Sequence, residues 1–252
     1  MVRGKSPKKR LDLVLVEKGL IRSRDRAKAM IMAGKVIVND TKVDKPGAQV
    51  KIEDRIMVKE DDHPYVSRGG LKLEKALNIF PVSVKDKVCL DIGASTGGFT
   101  DCLLKFGAKK VYAVDVGYGQ LDWSLRQDER VVVIERTNIR NLTQDQVHEP
   151  MDIVVADTSF ISLKTVIPSA EKFMQNGTQI LALIKPQFEA GRENVGKGGV
   201  VKDPAVRIQV VEEIKSFFAT RGYLVNGTVT SPILGPKGNE EYILFLDRHT
   251  AV

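Results

Sequence analysis

Apolar residues near the start of the chain recur at helical spacing and then at strand spacing. Leu11, Val14 and Leu15, with Lys18, follow a helical period that Gly19 ends. Ser23 is placed to cap a second helix, Arg24 to Ala33, which Gly34 closes. Ala27, Met30 and Ile31 form its inward face, and Arg24, Arg26 and Lys28 its polar side. Val36 to Val38 predicts a strand and Asn39-Asp40 a turn. Val50 to Ile52 and Arg55 to Val58 predict two more short strands, with Glu53-Asp54 between them. His63 to Ser67 reads as a junction, because Pro64 disfavours helix at His63. Residues 1–62 are therefore expected to form a small α+β unit with little core of its own, and 63–252 a larger second one.

The second pattern alternates. A helix, Arg68 to Ile79, is followed by a buried-strand run, Val88 to Ile92, a Gly-rich loop, Gly93 to Gly98, and a helix, Phe99 to Lys105. Strands are predicted at 110–114, 131–134, 151–156, 179–184, 223–229 and 242–246, and a helix at 204–220. Alternation of this kind predicts an α/β fold, a mostly parallel sheet with helices on both faces. Ligands of such sheets bind beyond the carboxyl ends of the strands.

Composition narrows the class. With 42% hydrophobic and 28% charged residues the chain is neither disordered nor membrane-embedded. No apolar run of about 18 residues is present, so no membrane span is expected. The basic start MVRGKSPKKR is not followed by the apolar core of a signal peptide, and a reducing cytosol is the expected compartment. Cys89 and Cys102 exclude a disulfide scaffold, and the isolated His63, His148 and His249 give no metal motif. The net charge of +7 is uneven. Residues 1–62 hold 16 Lys+Arg and 10 Asp+Glu, and residues 63–252 hold 23 and 22. Concentrated positive charge suits a phosphate backbone, although charge alone also fits a solvated face.

The loop Asp91-Ile-Gly-Ala-Ser-Thr-Gly-Gly98 follows a strand and opens a helix, where glycines allow a ligand close to the backbone. Asp115 ends the next strand, in reach of ribose hydroxyls. Ser95 stands where a dinucleotide fingerprint wants its second glycine, and Asp91 is unfavourable beside a diphosphate. A cationic ligand such as S-adenosylmethionine tolerates that carboxylate better. On this loop alone a dinucleotide, or a ligand-free turn, stays open.

Residues 10–58 resemble the S-four RNA-binding domain through Arg10-Leu11-Asp12, Gly19-Leu20, Ser23-Arg24, Ala27, Gly34, Val36, Val38-Asn39, Pro46 and Asp54. The resemblance implies a basic face of Arg10, Arg22, Arg24, Arg26 and Lys28, with Arg68 as a further RNA contact. Leu90 to Asp101, Ala156 to Ile161 and Leu183 to Glu189 resemble the FtsJ-type methyltransferases, a Rossmann-like fold that moves a methyl group from S-adenosylmethionine to RNA ribose. With both parts present, residues 8–248 resemble the TlyA family, sometimes labelled hemolysin A.

That resemblance implies a Lys-Asp-Lys-Glu tetrad of Lys72, Asp157, Lys185 and Glu241, with Glu240 as the alternative fourth member. It implies ribosomal RNA as the partner, with cytidine targets. A ribose hydroxyl must lose its proton as it attacks, and a lysine serves as base when burial or a second cation lowers its pKa. Lys185 is the candidate base and Lys72 the neighbouring charge. The cofactor set is Asp91, Gly93, Ala94, Ser95, Thr96, Gly97, Gly98, Asp115, Asn138 and Asp157. The Gly-rich, basic segment Gly191 to Asp203 is expected to act as a mobile lid, with Lys197 and Lys202 near phosphates. A non-catalytic ribosome-assembly factor and a cytolysin are the competing functions.

Overall fold

The computed structural model describes residues 8–21, 23–58 and 63–249. Contacts divide the chain into Met1–Pro64 and Tyr65–Val252.

The first unit begins with β1 (Lys8–Arg10), α1 (Leu11–Glu17) and α2 (Arg24–Met32). The Ser23 hydroxyl accepts from the Arg26 N–H at 3.3 Å and so caps α2. Four short strands follow: β2 (Val36–Val38), β3 (Thr41–Val43), β4 (Gln49–Lys51) and β5 (Ile56–Val58). Leu11, Val14, Leu15, Ala27, Ile31, Val36 and Val50 form one buried cluster. Strands β4 and β5, neighbours in the chain, are not partners: β4 pairs with β1, and β5 with β2, in two separate sheets. Strands β1 and β3 were not legible, because three-residue polar edge strands carry no alternation to read.

The second unit runs α3 (Gly69–Ile79), β6 (Val88–Ile92), α4 (Gly98–Lys105), β7 (Lys110–Val114), α5 (Trp123–Arg126), β8 (Val131–Ile134) and β9 (Met151–Ala156). It continues with α6 (Leu163–Ala170), β10 (Met174–Ile184), α7 (Pro186–Glu189), α8 (Pro204–Thr220), β11 (Tyr223–Thr230) and β12 (Tyr242–Arg248). The seven strands lie in the order β11-β12-β10-β9-β6-β7-β8. All adjacent pairs from β10 to β8 are parallel, and β12 is antiparallel to both its neighbours.

Strand β6 is buried at every position, as expected of a central strand covered on both faces. Its alternate side chains feed two cores. Val88, Leu90 and Ile92 join α6 and α8 residues such as Ile167 and Ile214 on one face. Cys89 joins Leu73 of α3 and Leu103 of α4 on the other. The chain leaves β6 toward β7 and β8 and later returns to β9 on β6's other side. That reversal opens a crevice at the carboxyl ends of β6 and β9, the place where such sheets bind ligands.

Candidate active site

Two cavities occupy this crevice. The first, about 360 Å³, is lined among others by Gly93, Ser95, Asp115, Asn138, Asp157 and Phe160. Gly93 has φ +85, and a Cβ there would lie 2.9 Å from the Asp157 carbonyl oxygen, so only glycine fits. Asp115 accepts from the N–H groups of Ser95 (2.8 Å) and Gly117 (2.6 Å), which fixes the loop edge it also lines. The Asn138 side-chain oxygen accepts from the Arg140 N–H at 3.1 Å, so part of its expected role is to shape its own turn.

Asp91 lines neither cavity. It is fully buried; one oxygen accepts from the Thr100 hydroxyl at 2.7 Å and the other has no partner. Burial pushes its carboxyl up to about 7, with the charges of Asp157 and Asp115 adding to the shift and the Thr100 hydroxyl opposing it. The sequence predicted direct contact with the cofactor; the structure places the Asp91 carboxyl beneath the loop, behind the residues that line the first cavity. Gly97 also lines neither cavity and packs against Leu121 and Leu125. Ala94, Thr96 and Gly98 line the second cavity.

That second cavity, about 440 Å³, shares Gly93, Ser95, Asp157 and Ser159 with the first. Lys72, from α3, and Lys185, at the start of α7, both line it, together with Arg68 and Leu234. The Lys72 ammonium lies 2.7 Å from Glu241 and 3.6 Å from Asp157. The Lys185 ammonium lies 2.5 Å from the other Asp157 oxygen and donates to the Ser159 hydroxyl at 3.1 Å. Exposure is 7% for each lysine and 0% for Glu241. Four charges from four separate segments thus form one chain: Lys185, Asp157, Lys72, Glu241.

Burying two ion pairs costs much of what their attraction returns, so a stabilising role does not explain the arrangement. It does provide amines held beside a cavity. Glu240 instead accepts from the Tyr242 hydroxyl at 2.5 Å and faces Arg207 at 3.6 Å. Glu241, the first choice from sequence, is therefore the member that meets Lys72.

The basic face of the small unit is partly tied down. Arg10 donates twice to Asp12, at 3.0 Å each, and Arg24 donates to it at 3.1 Å. Asp12 is fully buried, and the Arg10 guanidinium, with Arg24, holds its carboxyl down at about 2 against the cost of burial. Lys28 pairs with Asp25 at 2.9 Å. Arg26 lies on the same helix, and Arg22 lies outside the described residues. Two of the five expected RNA contacts therefore also organise the fold around Asp12, whose role the sequence did not reveal.

Residues 191–203, the expected lid, line neither of these two cavities, and part of the segment is held in place. The Asn239 amide donates to the Gly199 carbonyl (2.9 Å) and its side-chain oxygen accepts from the Val201 N–H (3.2 Å). Arg207 donates to the carbonyls of Val201 (3.2 Å) and Lys202 (2.9 Å). Lys197 and Lys202 are exposed, but the segment carrying Val201 is anchored.

Sequence reasoning assigned no role to four residues here, three of them inside motifs it quoted. Phe160 has φ +63, is 89% exposed and sits 4.8 Å, ring to ring, from Phe188. Gln187 donates to Glu241 at 3.4 Å. Glu189 binds Ser162 and Leu163. A Cβ on Gly235 would fall 2.1 Å from Glu241 Oε1. Only proximity in space marks the last three.

A doubly wound sheet of this strand order, with a glycine-lined cavity and paired buried lysines at its switch point, defines the class of Rossmann-like methyltransferases. The FtsJ-like methyltransferase model matches residues 65–248, and the S4 domain model residues 9–56. YqxC of Bacillus subtilis (strain 168), whose name proposes an rRNA methyltransferase, is 54% identical over 96% of this chain and 86% of its own. The 16S/23S rRNA (cytidine-2′-O)-methyltransferase TlyA of Mycobacterium tuberculosis (strain ATCC 25618 / H37Rv) is 47% identical over 96% of this chain and 90% of its own. A solved Streptococcus thermophilus protein bearing the hemolysin name is 44% identical, with a TM-score of 0.76 over 98% of this chain and 90% of that one. The chain belongs to the TlyA family of enzymes, S4-bearing members of the FtsJ-like methyltransferases.

Proposed function

We propose that this enzyme methylates a ribose 2′-oxygen of ribosomal RNA, on a cytidine, in the cytoplasm where ribosomes are made. The observation that carries this is the chain of Lys185, Asp157, Lys72 and Glu241 in a cavity that shares a wall with the glycine-lined one. The residues around the first cavity fit S-adenosylmethionine. An unpartnered, fully buried Asp91 oxygen under the loop favours a cation and disfavours a diphosphate. Gly93 and Ser95 would hold the methionine part, Asp115 the ribose and Asn138 the base edge. When bound, the cofactor supplies an electrophilic methyl group.

The chain's own residues do the rest. Lys185, once it has released its ammonium proton to solvent, takes the proton of the attacking 2′-hydroxyl as a neutral amine, and Asp157 holds that amine in line. Lys72, oriented by Glu241, offers a positive charge to the RNA beside the reacting oxygen. Arg68, at the cavity rim, offers a further contact for a phosphate, and Arg10, Arg24, Arg26 and Lys28 of the small unit engage the RNA backbone elsewhere.

The test is methyl transfer from labelled S-adenosylmethionine to ribosomal subunits by the full chain and by Lys185→Ala. The expected result is label in rRNA at a ribose, lost in the variant. No label, or equal label from the variant, overturns the reading. The hemolysin name of the Streptococcus relative motivates a parallel liposome-leakage measurement, with no leakage expected from pure protein.

A further inference from the structure

The geometry points to Glu189 as a positioning residue of the tetrad, an inference that rests on the function proposed above. Asp157 and Lys185 come from different strand ends, and their 2.5 Å contact requires the loop after β9 to stay registered against α7. The near end of that loop is fixed by the sheet, where the Asp157 N–H donates to the Ile92 carbonyl at 3.1 Å. Its far end is held by Glu189. One Glu189 oxygen accepts from the Ser162 hydroxyl at 2.6 Å and the other from the Leu163 N–H at 2.8 Å.

Ser162 caps α6, and its oxygen also accepts from the Lys164 N–H at 3.1 Å. Glu189 therefore adds a charge-assisted acceptor to the first turn of α6 and ties that turn to the segment that starts at Lys185. Phe188, the preceding residue, packs its ring on Phe160 of the same loop. Between these fixed points lie Asp157 and Ser159, the two partners of the Lys185 ammonium.

Glu189 lines neither cavity, so it reaches the chemistry only through the groups it fixes. Burial pushes its carboxyl up, against the Ser162 hydroxyl, the Leu163 N–H and the charge of Lys164. A carboxylate kept in such a place, with both oxygens bonded, fits a clamp rather than a solubilising charge.

The test compares Glu189→Met, which keeps length and apolar packing but removes both acceptors, with Glu189→Gln, whose carbonyl still accepts from Leu163. Full chain, ribosomal subunits and saturating labelled S-adenosylmethionine give the single-turnover rate. An amine-directed reagent read by mass spectrometry gives the reactivity of Lys185 without any RNA. Glu189→Met should slow transfer about tenfold or more, as a misplacement of an ångström does, and should raise Lys185 labelling several-fold. Glu189→Gln should recover most of both. Ser162→Ala should shift both readouts in the Met direction and be non-additive with Glu189→Met.

Wild-type rate and wild-type Lys185 labelling in Glu189→Met overturn the proposal. So does a folded Glu189→Gln that is no better than Met. Should Glu189→Met not fold, unchanged rate and labelling in Ser162→Ala overturn it instead. If the wild type transfers no methyl group, the proposed function fails, while the labelling series still decides whether the clamp exists.

Discussion

Gly235 shows how a residue with no side chain shapes the site. It borders the second cavity, and a methyl group there would press on the Glu241 carboxylate at 2.1 Å. Glu241 is fully buried and holds Lys72, so it has little room to yield. Gly235→Ala is expected to break the 2.7 Å Lys72 contact and to lower the transfer rate by about tenfold or more, with cofactor affinity by calorimetry unchanged. Asp91 gives the opposite kind of prediction, read in pH. Its folded pKa, about 7, lies above the ordinary 3.8, so the folded state holds the proton that the unfolded state releases between these values. Stability should therefore fall as pH rises from about 4 to about 7 and stay low above that, by roughly 4 kcal/mol. Asp91→Asn, which cannot ionise, should flatten this slope and melt higher than wild type at pH 8. A wild-type melting temperature that is level across that window would refute the ionisation cost. The cationic cofactor favours the charged form, so its binding near pH 6 to 7 should release protons, seen as a dependence of binding heat on buffer ionisation enthalpy.

At the scale of elements, α1 and α2 are joined through Asp12 as well as through their apolar faces. Arg10, before α1, and Arg24, in α2, both donate to the same buried carboxylate. Because the Asp12 carboxyl is held at about 2, its pairing is fully present above the ordinary value of 3.8 and is lost as pH falls through 2. Protection of the α1 and α2 amides relative to their intrinsic exchange rates should fall over that range, and Asp12→Asn should show lower protection already at pH 7, by about 1–2 kcal/mol in opening free energy. Exchange that is equally slow in the variant would count against the coupling. Elements of this kind separate what the sequence can announce from what it cannot. The helix cap Ser23, the buried-strand run of β6 and the Gly-rich loop are local signals, and each stands where the pattern put it. The pairing of β4 with β1, and the anchoring of residues 199–201 by Asn239, depend on segments far apart in the chain. The tetrad was legible only by resemblance: nothing local in Lys72, on an amphipathic helix, announces an ammonium buried against Glu241 across 169 residues. Glu189 was quoted as part of a motif, but its bonds to Ser162 and Leu163 exist only once β9 and β10 lie side by side.

Over the whole molecule the net charge is divided unevenly along the chain. Residues 1–62 carry a net +6 and residues 63–252 a net +1, from the counts 16 against 10 and 23 against 22. In the larger unit the four tetrad charges sum to zero, so its lysines give a local field at the cavity and little long-range attraction. Capture of RNA should then rest on the first unit and be sensitive to salt, while the methyl-transfer step at saturating RNA should not be. The RNA affinity of the full chain should fall along a straight line in log–log form as salt rises, with a slope set by the number of phosphates neutralised. Arg26→Glu, in α2, should weaken RNA binding about tenfold or more and shallow that slope, because it removes one cation and adds a repulsive charge. Its transfer rate at saturating RNA should stay within about twofold of wild type, and its affinity for S-adenosylmethionine should not change, since no part of either cavity lies in the first unit. Lys185→Ala should behave in the reverse way, keeping RNA affinity and salt slope while losing turnover. If Arg26→Glu lowered the saturated rate as much as the affinity, the charge of the small unit would be part of the chemistry, and the division between the two units would not hold.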